Sequence, residues 1–243
     1  MVAIPSIVTV VLGLFSSMTH GPVKKPGVSD LSNVTIPLSP AQLTALGAPT
    51  TPLTAVGLGF GVQNYTCSAN NVFVCVFALY LHLRAETDRR DRSAGAVAEL
   101  FDISCLASTN SKLLSTIHND LFKIWNSPAA NGVTIQQLID ILPKVVPSDL
   151  ILSQHYFNKN AAGGISPVWD FRATPKFQGV ANAVFVGKAL ANTPDADPTK
   201  NVPWLHLGKV SGDISDEIYR ISTAGGVAPS SVSLQLNQRR SRV

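Results

Sequence analysis

Charge is scarce in this chain. Only 14% of its 243 residues are Asp, Glu, Lys or Arg, while 45% are hydrophobic. So little charge excludes a coiled coil, whose solvent-facing positions need it. So much apolar character excludes an intrinsically disordered chain. Cysteine is also sparse, with Cys67, Cys75 and Cys105 alone. A chain this long builds one domain with a core that needs no disulfide framework. No C-x-x-C pair is present, which removes a zinc ribbon and a thioredoxin-like redox motif. Absence of H-E-x-x-H, G-x-S-x-G and a Walker loop removes three familiar catalytic signatures. No metal-ligand spacing or cofactor motif is left, so neither a metal nor a cofactor is expected. No apolar run approaches the ~20 residues of a spanning helix, so no transmembrane anchor is expected. No internal repeat is visible.

The basic excess is local. Formal net charge is +4. Residues 69–92 net +1, residues 232–243 net +3 and Lys24-Lys25 net +2, leaving −2 for the rest. No basic stripe with interleaved aromatics exists, so nucleic acid is not an expected partner.

Residues 7–15 form an apolar run followed by Ser16 and Ser17. The run suits a secretory signal peptide over residues 1–20 better than a membrane span. The competing reading is a buried N-terminal strand or helix. Lys24-Lys25 is a weak propeptide-processing signal. Two sequons, Asn33-Val-Thr35 and Asn64-Tyr-Thr66, fit a secretory route and name Asn33 and Asn64 as glycosylation candidates. Residues 21–50, rich in Pro, Ser and Thr, read as an extended lead-in.

Beyond the lead-in, residues 51–231 read as a single β-rich domain. In residues 56–65, Val56, Leu58, Phe60 and Val62 alternate with glycines, which suits a strand with bulges or close backbone contacts. A second strand is expected over residues 96–106. Two helices follow. The first, residues 112–125, has Leu113, Leu114, Ile117, Leu121 and Ile124 as its apolar face, with His118 on the solvent side. The second, residues 134–142, begins with capping-box spacing. Five further strands are expected at 150–157, 168–172, 180–190, 202–207 and 217–223. Short strands between Gly, Pro and Asn turns predict a mainly β fold, an antiparallel β-sandwich or barrel with a two-helix insertion at about 111–143.

Gly57-Leu-Gly59-Phe-Gly61 resembles a dinucleotide fingerprint, but its third glycine falls at Val62 and the segment runs into a strand. His155 and His206 sit in strand-like runs. With Asp170 they could form an acid/base set, since imidazole titrates near neutrality. The plainer reading satisfies both rings with backbone carbonyls. Tyr156, Trp169, Trp204 and Tyr219 could line a carbohydrate platform, though aromatics at strand positions are more often core.

An ordered set of motifs carries a family resemblance. It comprises Gly61-Val-Gln-Asn-Tyr-Thr-Cys67, Ala94-Gly-Ala-Val-Ala-Glu-Leu-Phe-Asp-Ile-Ser-Cys105 and Gln154-His-Tyr-Phe157. It continues with Ser166-Pro-Val-Trp-Asp-Phe171, Val202-Pro-Trp-Leu-His-Leu207 and Ile218-Tyr-Arg-Ile-Ser-Thr-Ala-Gly-Gly-Val-Ala-Pro229. Over residues 38–231 the chain resembles the domain-of-unknown-function family DUF3455, secreted proteins common in filamentous fungi with relatives in bacteria. The resemblance implies a secreted, mainly β domain and no established activity.

Two segments depart from the family pattern. Residues 69–92 interrupt it, and residues 232–243 replace a cysteine and an aromatic-rich closing strand. Valines stand near both breakpoints, at Val72 and Val232, and valine codons begin with the GT of an intron. Both segments therefore read as translated intron, against a genuine insertion and a divergent tail. With the family's later cysteine missing, Cys67 is left to pair with Cys105, to mispair with Cys75 or to stay free. The expected function is a secreted protein that binds a cell-wall or other extracellular ligand. The alternative is a hydrolase-like extracellular enzyme using His155, Asp170 and His206.

Overall fold

A computed structural model describes residues 7–16, 30–34, 36–63, 65–67, 73–75, 93–126, 150–160 and 164–228. The strands are β1 (Ile7–Ser16), β2 (Leu53–Gln63), β3 (Tyr65–Cys67), β4 (Phe73–Cys75) and β5 (Ser93–Asp102). They continue as β6 (Ile151–Lys159), β7 (Ile165–Asp170), β8 (Val184–Thr193), β9 (Trp204–Ser211) and β10 (Glu217–Gly225). Helices are α1 (Pro40–Leu46), α2 (Ser104–Thr109) and α3 (Ser111–Trp125).

Eight strands close into an antiparallel barrel in the order β1-β10-β9-β8-β7-β6-β5-β2. β3 and β4 make a separate hairpin. From β5 to β10 the sheet is an up-and-down meander, so each turn brings the next strand beside the last. Closure removes free edges that would otherwise invite pairing with another chain. The fold is mainly β and barrel-like, as the strand spacing predicts.

Alternation along the strands divides the core in two. Inside the barrel, Leu100, Leu152, Trp169, Phe171, Phe185, Leu207 and Ile218 pack together. Outside it, Val56, Trp204, Tyr219 and Ile221 meet Leu31, Leu46, Ala107 and Leu114. β2 serves both layers. Its Ala55 belongs to the inner cluster, whereas Val56 and Leu58 lie under the outer cover. Each large side chain so buried contributes ~1.5–3 kcal/mol.

Residues 7–16, which fall inside the expected signal peptide of residues 1–20, form β1, which pairs with both β2 and β10. Three expectations change. The lead-in is not simply extended. Ser39-Pro-Ala-Gln42 is a capping box with proline in the first turn, and it starts α1, whose Leu46 is buried. The Ser-x-x-Gln spacing was present in the sequence. The strand expected to reach residue 106 ends at Asp102, because the Asp102 carboxylate accepts from the Ser104 amide and turns the chain into α2.

α3 forms where expected, capped by Asn110, and packs Leu114, Ile117 and Leu121 of the expected face inward, but not Leu113 or Ile124. Leu114 and His118 are buried and Ile117, Leu121 and Phe122 pack on the sheet, while Leu113 and Ile124 are exposed. The spacing 114, 117, 118, 121 fits one stripe, so His118 takes a core-facing place. Burial pushes its imidazole below its ordinary pKa, partly offset by Asp195 and Asp120. The second expected helix, residues 134–142, lies outside the described residues, as do most of 69–92 and the tail from 229.

Candidate functional site

Strand register places the predicted acid/base residues. His155 pairs with Trp169 and Gln154 with Asp170 on β6 and β7. Directly paired residues share a face and adjacent ones alternate. Trp169 is in the inner core, so His155 is inside the barrel and Asp170 is outside. On β9 and β10, Leu207 pairs with Ile218 and His206 with Tyr219. Leu207 and Ile218 face inward, so His206 is outside. Asp170 and His206 share the outer side, but no bonding partner is common to them. The structure does not bring the three residues to one reacting centre.

His155 is stacked on Trp169, with ring centroids 4.2 Å apart, and its Nδ1 lies 2.9 Å from the Val168 carbonyl. A carbonyl only accepts, so Nδ1 carries the proton there. Burial pushes this imidazole down to about 4, and the nearby Arg220 charge pushes the same way. It is therefore neutral at physiological pH. The unfolded chain binds a proton near pH 6.5, the folded one only near 4. His155 thus contributes its full share above pH 6.5 and loses it as pH falls toward 4. The loss is of order 3 kcal/mol. His155→Leu is expected to flatten the urea-stability profile between pH 4 and 6.5. An unchanged slope would show that His155 is not the group responsible.

Asp170 is held by Arg172 and by the Tyr156 hydroxyl, which donates at 3.1 Å. Burial alone would raise its pKa, but the Arg172 hydrogen bonds and charge, with Tyr156, keep the carboxyl below its usual value. It is an acceptor already occupied.

The densest polar set in the described residues surrounds Glu217. The side chain of Glu217 is buried. One carboxylate oxygen accepts from the Thr50 amide at 3.1 Å and from the Thr50 hydroxyl. The other accepts from His206 Nε2 at 2.9 Å and the Tyr219 hydroxyl at 3.1 Å. His206 Nδ1 lies 2.8 Å from the Leu46 carbonyl. Tyr219 stacks flat on His206, with centroids 4.3 Å apart. Burial and the Glu217 carboxylate push the Tyr219 phenol well above its ordinary pKa, so it stays a donor. Both His206 nitrogens lie within hydrogen-bond distance of oxygen atoms, the Leu46 carbonyl and the Glu217 carboxylate. The set ties the segment after α1 to the β9–β10 pair.

The four platform aromatics are core residues. Tyr156, Trp169, Trp204 and Tyr219 are all buried. The Trp204 indole donates to Asp195 at 2.7 Å, so even its polar edge is occupied. Cys105 is exposed and its thiol is free, so the Cys67–Cys105 pairing is not made. Cys67 sits opposite Phe73, and Cys75 opposite Tyr65, in the β3–β4 hairpin. Asn33 is exposed in a turn, while Asn64 lies outside the described residues. Among the described residues no cluster could hold a metal ion, and no helix is long and apolar enough to cross a membrane.

A family profile, "Protein of unknown function (DUF3455)", matches residues 48–242. The chain belongs to the DUF3455 family. No curated protein and no solved structure matches it.

The DUF3455 match contains β2 to β10 and leaves β1 and α1 outside. Within the match, seven strands form a curled sheet that β1 closes. The match also runs through residues 69–92 and past 232. Of the Glu217 set, sequence reasoning named His206 and Tyr219 and missed Glu217, Thr50 and the Leu46 carbonyl. A signal existed. The chain has only three glutamates, Glu86, Glu99 and Glu217, and a Glu heading an otherwise apolar strand is out of place unless paired.

Proposed function

We propose that this DUF3455 chain is a secreted domain that acts outside the cell by binding a cell-wall or other extracellular ligand, with residues 1–20 removed on export. One observation carries the preference for binding over catalysis. Asp170, His206 and Glu217 have their polar atoms engaged by partners within the fold, and buried His155 holds its Nδ1 on the Val168 carbonyl. A general acid or base needs an atom within reach of substrate, and these atoms face carbonyls, guanidinium, hydroxyls or one another. The apolar run at residues 7–15, its small-residue flank and the exposed Asn33 turn support the secretory route.

Expression in a secretory eukaryotic host tests both parts. Intact mass of the protein in the medium should place the new N-terminus near residues 18–21, with an added mass removed by peptide N-glycosidase. Retention in the cell with Met1 in place would end the secretion reading. Insoluble wall polysaccharide should deplete the purified protein from solution. Turnover of a chromogenic ester or glycoside that His155→Leu and His206→Phe both abolish would restore the hydrolase alternative.

A further inference from the structure

We propose that the barrel interior holds a small-ligand site at Ser153 and His155, which takes an apolar molecule carrying a hydroxyl group, a phenol by preference. The site is independent of the wall-binding reading, since it needs neither export nor an outer surface.

Two residues of β6 face inward with unmatched polar atoms. Ser153 pairs with Leu100 and His155 with Ala98, both in the inner cluster. Ser153 is 1% exposed, and its Oγ is buried with no hydrogen-bond partner among the described residues. His155 is 9% exposed, and among the described residues its ring makes one hydrogen bond, from Nδ1 to the Val168 carbonyl. Nδ1 carries the proton, so Nε2 presents a lone pair. Buried polar atoms without a partner are rare, and each calls for one. The two residues stand on one face of the strand, about 6.6 Å apart along it. One hydroxyl oxygen at about 2.8 Å from each atom serves both, donating to Nε2 and accepting from the Ser153 hydroxyl.

The surroundings select the rest of the ligand. Trp169 covers one face of the His155 ring, and Phe157 meets the ring edge-on. Across β5 and β2 the inward neighbours in register are Ala98 and then Gly61, so neither strand places a large side chain there. Eight strands can enclose one small molecule. A water would find two polar partners, the fewest that buried waters make, and would leave the aromatic walls unused. A phenol uses both polar atoms and buries its ring. Arg220 sets the charge. It follows inward Ile218 by two positions and pairs with Leu205, which packs on the inner cluster. Its charge is felt at His155, so a cationic ligand is repelled and a weakly acidic hydroxyl is favoured. Burial holds the imidazole at about 4, whereas a phenol gives up its proton only near about pH 10. His155 therefore accepts the hydrogen bond without taking the proton, and the site binds rather than catalyses.

The test titrates the full chain with phenol and with toluene, which has a methyl in place of the hydroxyl, and follows the His155 ring nitrogens by NMR. The parent should bind one phenol, at least about tenfold more tightly than toluene, and the Nε2 resonance should move. Ser153→Ala deletes an unmatched hydroxyl, so it should fold at least as stably as the parent and bind phenol about fivefold more weakly. His155→Leu should reverse the preference in favour of toluene, the more apolar of the two. A parent that binds no phenol, or that binds toluene as tightly, would overturn the site. So would phenol binding that is unchanged in both variants. A crystal structure at saturating phenol that shows only a water between Ser153 and His155 would overturn it as well.

Discussion

Glu217→Ala is expected to lower the unfolding free energy by about 3–5 kcal/mol, because several buried donors lose one acceptor group together. The carboxylate takes four donors from three residues. Without it, the Thr50 amide and hydroxyl and His206 Nε2 lose the acceptor they share, while Tyr219 keeps the Gly47 carbonyl at 3.2 Å. Each buried group left unmatched costs ~1–3 kcal/mol. Glu217→Gln separates charge from shape. Its amide oxygen still accepts from Thr50 and fills the same space. The Gln variant should therefore cost less than half as much as the Ala variant. Urea unfolding followed by tryptophan fluorescence reads both. A Glu217→Ala protein within 1 kcal/mol of the parent would show that the cluster is no clamp, and an unimpaired fold with lost ligand binding would make it a site.

That network shows where sequence reading stops. The strands from β6 to β10 could be placed because short apolar runs and turn residues recur along one stretch of chain. The helix α3 could be placed from its periodicity. The exact limits of its buried stripe could not, because Leu113 and Leu114 are both apolar and only the docked sheet chooses between them. His155 and Asp170 are fifteen residues apart in sequence and look like partners there. One position of register sends them to opposite sides of the sheet. Glu217 and Thr50 meet across 167 residues, a contact no local pattern encodes. The same limit applies at residues 7–16. An apolar run with small flanking residues serves equally as an export signal and as the eighth strand of a barrel, and its chemistry does not distinguish the two.

Gly61→Ala is expected to cost about 3 kcal/mol or more, at or above the upper end for added core volume. Gly61 on β2 pairs with Ala98 on β5. A methyl placed on Gly61 would stand 2.6 Å from the Ala98 Cβ and closer still to the Val97 carbonyl oxygen. The Ala98 methyl can be removed by substitution, but the oxygen belongs to the backbone of a hydrogen-bonded strand, so relief requires the two strands to part. Phe60→Leu, on the outward face of the same strand, should cost only about 1 kcal/mol and controls for general damage to β2. Ala98→Gly should return part of the Gly61→Ala loss, and a double-mutant cycle measures that part directly. The glycines of the Gly57-Leu-Gly59-Phe-Gly61 segment lie within a strand rather than at a helix N-terminus, where a pyrophosphate would be held. At Gly61 the absent side chain lets β5 approach. A nucleotide site would predict the opposite dependence, with stability kept and nucleotide affinity lost on Gly61→Ala. Full stability in that variant would thus remove the packing explanation and reopen the phosphate one.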